Sequence, residues 1–126
     1  MKLGVITDGI SREFEHALNV MSEFELTYAE LQFVWDKEVG DHSLEQIQEI
    51  KILADQHNIK VSCISRHNFA GLSVMDVEPD DDIFQAHMDG LRRCIDMAKT
   101  LETNLVRIMS GSKEMILFGH NGAEVW

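Results

Sequence analysis

The sequence predicts an α/β fold built from parallel β/α units, about four strands and three helices, and three observations carry that expectation. Short apolar runs alternate with amphipathic helical stretches along the chain, the order that makes a parallel sheet. Each helix passes into the next strand through a similar short junction: Phe24-Glu25-Leu26-Thr27, His57-Asn58-Ile59 and Leu101-Glu102-Thr103. Each strand ends in a polar cluster: Thr7-Asp8, Trp35-Asp36, Ser65-Arg66-His67-Asn68 and Ser110-Gly111-Ser112. Parallel sheets carry their ligand sites beyond those carboxyl ends.

The first strand is Leu3-Gly4-Val5-Ile6. The first helix is expected from about Ser11 to Phe24, where Phe14, Ala17, Leu18, Met21 and Phe24 fall at helical spacing. The second strand starts at Tyr28 and alternates, with Ala29, Leu31 and Phe33 on one face and Tyr28, Glu30 and Gln32 on the other. The second helix starts at Ser43, where Ser43-Leu44-Glu45-Gln46 reads as a capping box, and is expected to bury Leu44, Ile47, Ile50 and Ala54. In the third strand Val61 and Cys63 oppose Ser62 and Ile64. The third helix is expected from Pro79, with Asp80, Asp81 and Asp82 in its first turn, where the helix dipole favours negative charge. Phe84, His87, Met88, Leu91, Ile95, Ala98 and Leu101 continue its apolar face. The fourth strand is expected from Asn104 to Met109, and no fourth helix follows before Trp126.

One strand face is apolar, while the other carries Glu30, Gln32, Ser62 and Arg107. Strands of an open doubly wound sheet, covered on both faces, tend to be apolar throughout. A polar-bearing face suits a barrel lumen near its catalytic mouth. The expected fold is therefore the N-terminal half of a TIM barrel, a single partial domain over residues 1–126 cut short after the fourth strand and its loop. The junctions hold one oddity. A helix often ends on a left-handed residue, best supplied by Gly or Asn. Asn58 suits that role, but Glu25 and Glu102 do not, and the helix ends there are expected to be strained.

Composition excludes several classes of function. With 44% hydrophobic and 26% charged residues the chain is an ordinary globular one. A net charge of −11, without a basic stripe, argues against a nucleic-acid partner. No apolar run approaches the roughly 20 residues that span a bilayer. No signal-peptide core follows Met1-Lys2, so the expectation is a cytoplasmic protein without a membrane partner. Cys63 and Cys94 have no metal or redox spacing and read as buried free thiols.

The candidate site lies in the polar clusters. His67 suits contact with a substrate oxygen, although a plain loop role competes with it. His16, His42, His57 and His87 read as structural or exposed, and His120 is left open. Trp35 suits the apolar wall of a sugar site or ordinary loop packing. Glu30 and Arg107, on alternate strands, belong to one lumen layer and should pair directly or through a water. A Gly-rich phosphate loop and a GxSxG elbow are absent from the sequence. A phosphoacceptor receiver would need an Asp after the third strand, where Ser65-Arg66 stands.

Met1-Lys2-Leu3-Gly4-Val5-Ile6, Tyr28-Ala29-Glu30-Leu31, Ile59-Lys60-Val61-Ser62-Cys63-Ile64 and Asn104-Leu105-Val106-Arg107-Ile108 together resemble the xylose-isomerase-like TIM-barrel superfamily. The resemblance covers nearly all of this chain but only the N-terminal half of that fold. It implies a parent enzyme that uses a divalent metal (Mn, Mg, Co or Zn) to isomerise or epimerise a sugar or sugar phosphate. Glu30, Trp35, His67 and Arg107 would line its substrate pocket. The catalytic residues and metal ligands would come from later strands, so this fragment is expected to be inactive and metal-free alone. The alternative is a non-catalytic half-barrel assembly module that self-associates through its open sheet edges.

Overall fold

A computed structural model describes residues 2–73 and 76–110. Over these residues it is a mixed α/β structure with a parallel sheet and three helices. Strand β1 (Gly4–Ile6) leads through a short 3-10 turn at Thr7–Gly9 into α1 (Phe14–Glu23), then β2 (Tyr28–Leu31). A small hairpin follows, β3 (Phe33–Val34) and β4 (Lys37–Glu38), then α2 (Leu44–Gln56), β5 (Lys60–Ile64) and α3 (Asp82–Thr100). The sheet order is β1-β2-β5, all parallel, with β3 and β4 forming a separate antiparallel pair.

All three helices lie on one side of the sheet. Phe14, Leu18 and Met21 of α1, Ile47 and Ile50 of α2, and Cys94 and Met97 of α3 form one buried cluster with Ala29, Leu31 and Ile64. The opposite face keeps Ile6, Tyr28, Glu30, Cys63 and Arg107 partly exposed or exposed.

The expected fourth strand is shorter than its sequence suggests. Residues 104–109 run parallel to β5 through one bridge, Ile64 to Val106. Ile64 N–H donates to Leu105 O at 3.0 Å and Arg107 N–H to Ile64 O at 2.9 Å. Past Ser65, whose N–H still donates to Leu31 O of β2 at 2.8 Å, the chain leaves the sheet, and Met109 N–H reaches Asn68 O at 2.9 Å.

Strict alternation fails in β5. A bulge sets Ala29 opposite Val61 but Glu30 opposite Cys63, leaving Ser62 as the extra residue. An inserted residue reverses the parity of everything after it. Cys63 therefore joins the Glu30 face, half-buried, and Ile64, expected on that face, is in the core at 0% exposure. A second break follows Leu31, where Val34 takes the core place expected for Phe33.

The helix boundaries also differ from expectation. α1 starts at Phe14, after Ser11 Oγ accepts the Glu13 N–H at 3.1 Å and holds the preceding turn. α3 starts at Asp82, because Asp81 Oδ2 accepts the N–H of Glu78 at 2.9 Å and closes a loop over Pro79 and Asp80. Its buried face runs through Gly90, Cys94, Met97 and Ala98, leaving Ile95 exposed. A Cβ on Gly90 would lie 2.9 Å from Asn68 Oδ1 and 3.0 Å from Arg66 Nε, so the bare backbone there sets which face meets the sheet. Phe24 and Leu44, at helix ends, are 71% and 74% exposed instead of buried. The capping box forms as expected, with Ser43 Oγ accepting from Gln46 N–H and Gln46 Oε1 accepting from Ser43 N–H.

The three junctions share one geometry. Glu25, Asn58 and Glu102 all adopt left-handed φ, at 56°, 55° and 57°. Leu26 N–H reaches Met21 O, Ile59 reaches Ala54 and Thr103 reaches Ala98, at 2.9 to 3.0 Å. These six-to-one bonds define a Schellman end. At Glu25 the left-handed backbone costs roughly 1–2 kcal/mol, against roughly 0.4–1 kcal/mol of chain entropy that a glycine would forfeit. Glu25→Gly should raise the free energy of unfolding by a net ~0.5–1 kcal/mol, and with it the urea midpoint; urea unfolding of the two proteins measures it. Glu102 is a poorer test position because it also pairs with Lys51 at 3.1 Å.

Candidate functional site

The uncovered face gathers polar side chains where the strands end. β2 supplies Glu30 and, just past its end, Gln32. β5 leads into Ser65, Arg66 and His67. The 104–109 segment supplies Arg107, and the hairpin strand β4 folds Glu38 over the top.

Glu30 and Arg107 come together as their parity requires. Arg107 Nη1 lies 3.8 Å from Glu30 Oε1, and Arg107 Nη2 donates to Ser65 O at 2.7 Å. Ser65 Oγ donates to the same Glu30 oxygen. At 3.8 Å the ion pair is looser than a hydrogen bond, and both side chains are about a third exposed, at 31% and 30%. Arg107 Nε is buried and has no partner among the described residues. Guanidinium and carboxylate thus stand side by side with hydrogen-bonding capacity left over.

His67 belongs to a second chain of polar groups. Glu38 Oε1 accepts from the His67 backbone N–H at 2.9 Å and sits 2.8 Å from Nδ1. A carboxylate only accepts, so Nδ1 carries the hydrogen. Nε2 is then the lone-pair nitrogen, and the Gln32 amide donates to it at 2.8 Å. Glu38 is held in turn by Arg66, whose Nη1 lies 3.4 Å from Oε2 and 3.0 Å from Asp41 Oδ2, and donates to Val39 O at 2.8 Å. Burial pushes the Asp41 carboxyl up, but hydrogen bonds and charge from Arg66 and Arg93 outweigh it and leave the pKa below the usual value. Glu38 carried no sequence signal, because nothing in Lys37-Glu38 announces a strand that folds back over His67.

The structure separates Trp35 from the other three expected site residues. Trp35 and Asp36 form the tight turn of the hairpin, at φ 50° and 61°, the positive values a type I′ turn demands. The indole packs edge-on against Phe14 and near His42, and lines a cleft with His16 and Asn19 of α1 and Glu49 and Leu53 of α2. The aromatic ring near His67 is Phe33, 6.3 Å away between centroids, with the Arg12 guanidinium 4.9 Å from its centre. His42 is structural. Its Nε2 donates to Val34 O at 2.9 Å, and burial pushes its pKa down. His120 lies outside the described residues.

Phe69, two residues past His67, and Met109, two past Arg107, border a pocket of about 300 Å³ with Leu72, Val77, Phe84 and Ile108. The same mouth therefore offers polar and apolar surface. Among the described residues no group of three His, Cys, Asp or Glu side chains could hold a metal ion. His67 Nδ1 and both Glu38 oxygens are already engaged within the protein, so this set does not fit a divalent cation. Among the described residues, too, no helix is long and apolar enough to cross a membrane.

No family model, curated protein or solved structure matches this chain.

Proposed function

We propose that the chain is part of a TIM barrel, and that its uncovered face holds a polyol or hydroxy-ketone in a sugar or sugar-phosphate isomerase or epimerase. The observation that carries this reading is the placement of Glu30–Ser65–Arg107 and Gln32–His67–Glu38 together at the carboxyl ends of strands whose other face is sealed by helices. Sugar hydroxyls both donate and accept. Glu30 offers acceptors, and Arg107 and the remaining N–H of the Gln32 amide offer donors. Arg107 holds a carbonyl or alkoxide oxygen, while Glu38 and the imidazole between them orient the Gln32 amide toward a hydroxyl. In the parent enzyme the divalent metal and its ligands come from residues beyond this set.

The test is a ¹⁵N NMR titration with D-fructose, D-xylulose and D-fructose 6-phosphate. Amide shifts at Glu30, Ser65, His67 and Arg107 should saturate in the millimolar range with at least one ligand. Arg107→Met should abolish them. Shifts that are absent, or confined to the groove of Lys51, Asp55 and Lys60 at the opposite end of the strands, would overturn the proposal.

A further inference from the structure

Where the hairpin meets α3, one guanidinium nitrogen is asked for more hydrogens than it has. Arg66 Nη1 carries two. Three oxygens lie around it: Val39 O at 2.8 Å, Asp41 Oδ2 at 3.0 Å and Glu38 Oε2 at 3.4 Å. Val39 O takes one hydrogen, so two carboxylates compete for the other, and Asp41 stands nearer. Each carboxylate gives its second oxygen to a different partner. Glu38 Oε1 accepts from the His67 backbone N–H at 2.9 Å and from Nδ1 at 2.8 Å. Asp41 Oδ1 accepts from Arg93 Nη2 on α3 at 3.0 Å. Charge therefore alternates along one line, Arg93–Asp41–Arg66–Glu38, that ends on the imidazole. The inner members, Arg66 and Glu38, are 17% and 20% exposed, so solvent screens them little. The outer members, Asp41 and Arg93, are open to water.

We infer that Asp41 and Arg93 are positioning residues for His67, acting on it through Arg66 and Glu38. A carboxylate divided between two donors binds each of them less than it would bind one alone. Without Asp41, Arg66 turns its contested hydrogen and its whole charge on Glu38, which becomes a poorer acceptor for Nδ1–H. Without Arg93, Asp41 is undivided and holds Arg66 more firmly, and Glu38 is left freer for the imidazole. The effect on His67 thus changes sign with each step outward. Simple loosening of the hairpin would give one sign for both losses. The Gln32 amide donates to the same imidazole at 2.8 Å, so the line ends in the group that meets the ligand. As regulation of that site the inference rests on the functional reading above, but its test needs no sugar, and each can fail alone.

The measurement is ¹⁵N NMR of the His67 ring in alkaline buffer, where imidazoles are neutral, read as the ratio of hydrogen on Nδ1 to hydrogen on Nε2. Asp41→Asn keeps the shape of the side chain and can still accept from Arg93. It should lower the ratio about twofold to fivefold, the range that a partly exposed charge pair supplies. Arg93→Met should raise the ratio by a similar factor. Asp96→Asn removes a carboxylate from the same helix, 74% exposed and paired with Lys99, and should leave the ratio unchanged. Arg93 also donates from Nε to Gly40 O; if Arg93→Met does not fold, Asp41→Asn against Asp96→Asn decides the matter. The inference is overturned if Asp41→Asn leaves the ratio unchanged or raises it, if Arg93→Met shifts it in the same direction as Asp41→Asn, or if Asp96→Asn moves it as far.

Discussion

Ile64→Ala is expected to lower the free energy of unfolding by about 2–5 kcal/mol, the range for truncating a core isoleucine. Simple alternation from Val61 would put Ile64 on the open face, where truncation would cost little. The bulge at Ser62 turns it instead into the cluster shared by Leu31, Val34 and the three helices. Ile6→Ala is the matched control. Ile6 is 36% exposed on the open face, and its loss should cost less than ~1 kcal/mol. Denaturant unfolding of the pair reads the register directly. Equal and small effects would place Ile64 outside the core and remove the bulge from the description of β5.

Gly40→Ala should destabilise the protein by roughly 2–4 kcal/mol, combining left-handed strain with overpacking. Gly40 has φ +92°, and a Cβ there would meet Cys94 Sγ at 3.0 Å. The residue seats the hairpin on α3: its carbonyl accepts from Arg93 Nε at 2.8 Å, two positions beyond Glu38. Moving it would draw Glu38 away from His67. A loss of stability should therefore come with a second change, an imidazole no longer fixed with hydrogen on Nδ1, visible in its ¹⁵N ring shifts. Gly9→Ala, where nothing lies within 4 Å of the added carbon, should stay within ~0.5 kcal/mol of wild type. A Gly40→Ala protein as stable as wild type would mean that the hairpin can leave α3 freely.

What the sequence revealed depended on the range of the interaction. The capping box at Ser43 and the left-handed junctions at Glu25, Asn58 and Glu102 are decided within six residues of chain, and all were legible. So was the pairing of Glu30 with Arg107, which needs only the strand order and parity near each carboxyl end. The bulge at Ser62 was not, because it arises from fitting β5 against β2, and no Gly or Pro marks it. The Trp35-Asp36 turn lacks the Asn-Gly or Asp-Gly pair that usually announces a type I′ hairpin, so the sequence alone points Trp35 to the pocket rim and gives Glu38 no role. The buried face of α3 follows Gly90, whose small size matters only once Arg66 and Asn68 lie beneath it.

The seating of the hairpin on α3 also gives the chain two thiols on very different clocks. Cys94 Sγ is fully buried below Gly40, and burial pushes its pKa up; Cys63 is half-buried on the open face. An alkylating reagent meets the first only in those moments when the hairpin lifts or the fold opens, and meets the second without waiting. The rate at which Cys94 is consumed thus counts the openings of the lid over His67, with Cys63 in the same molecule marking the reagent's own pace.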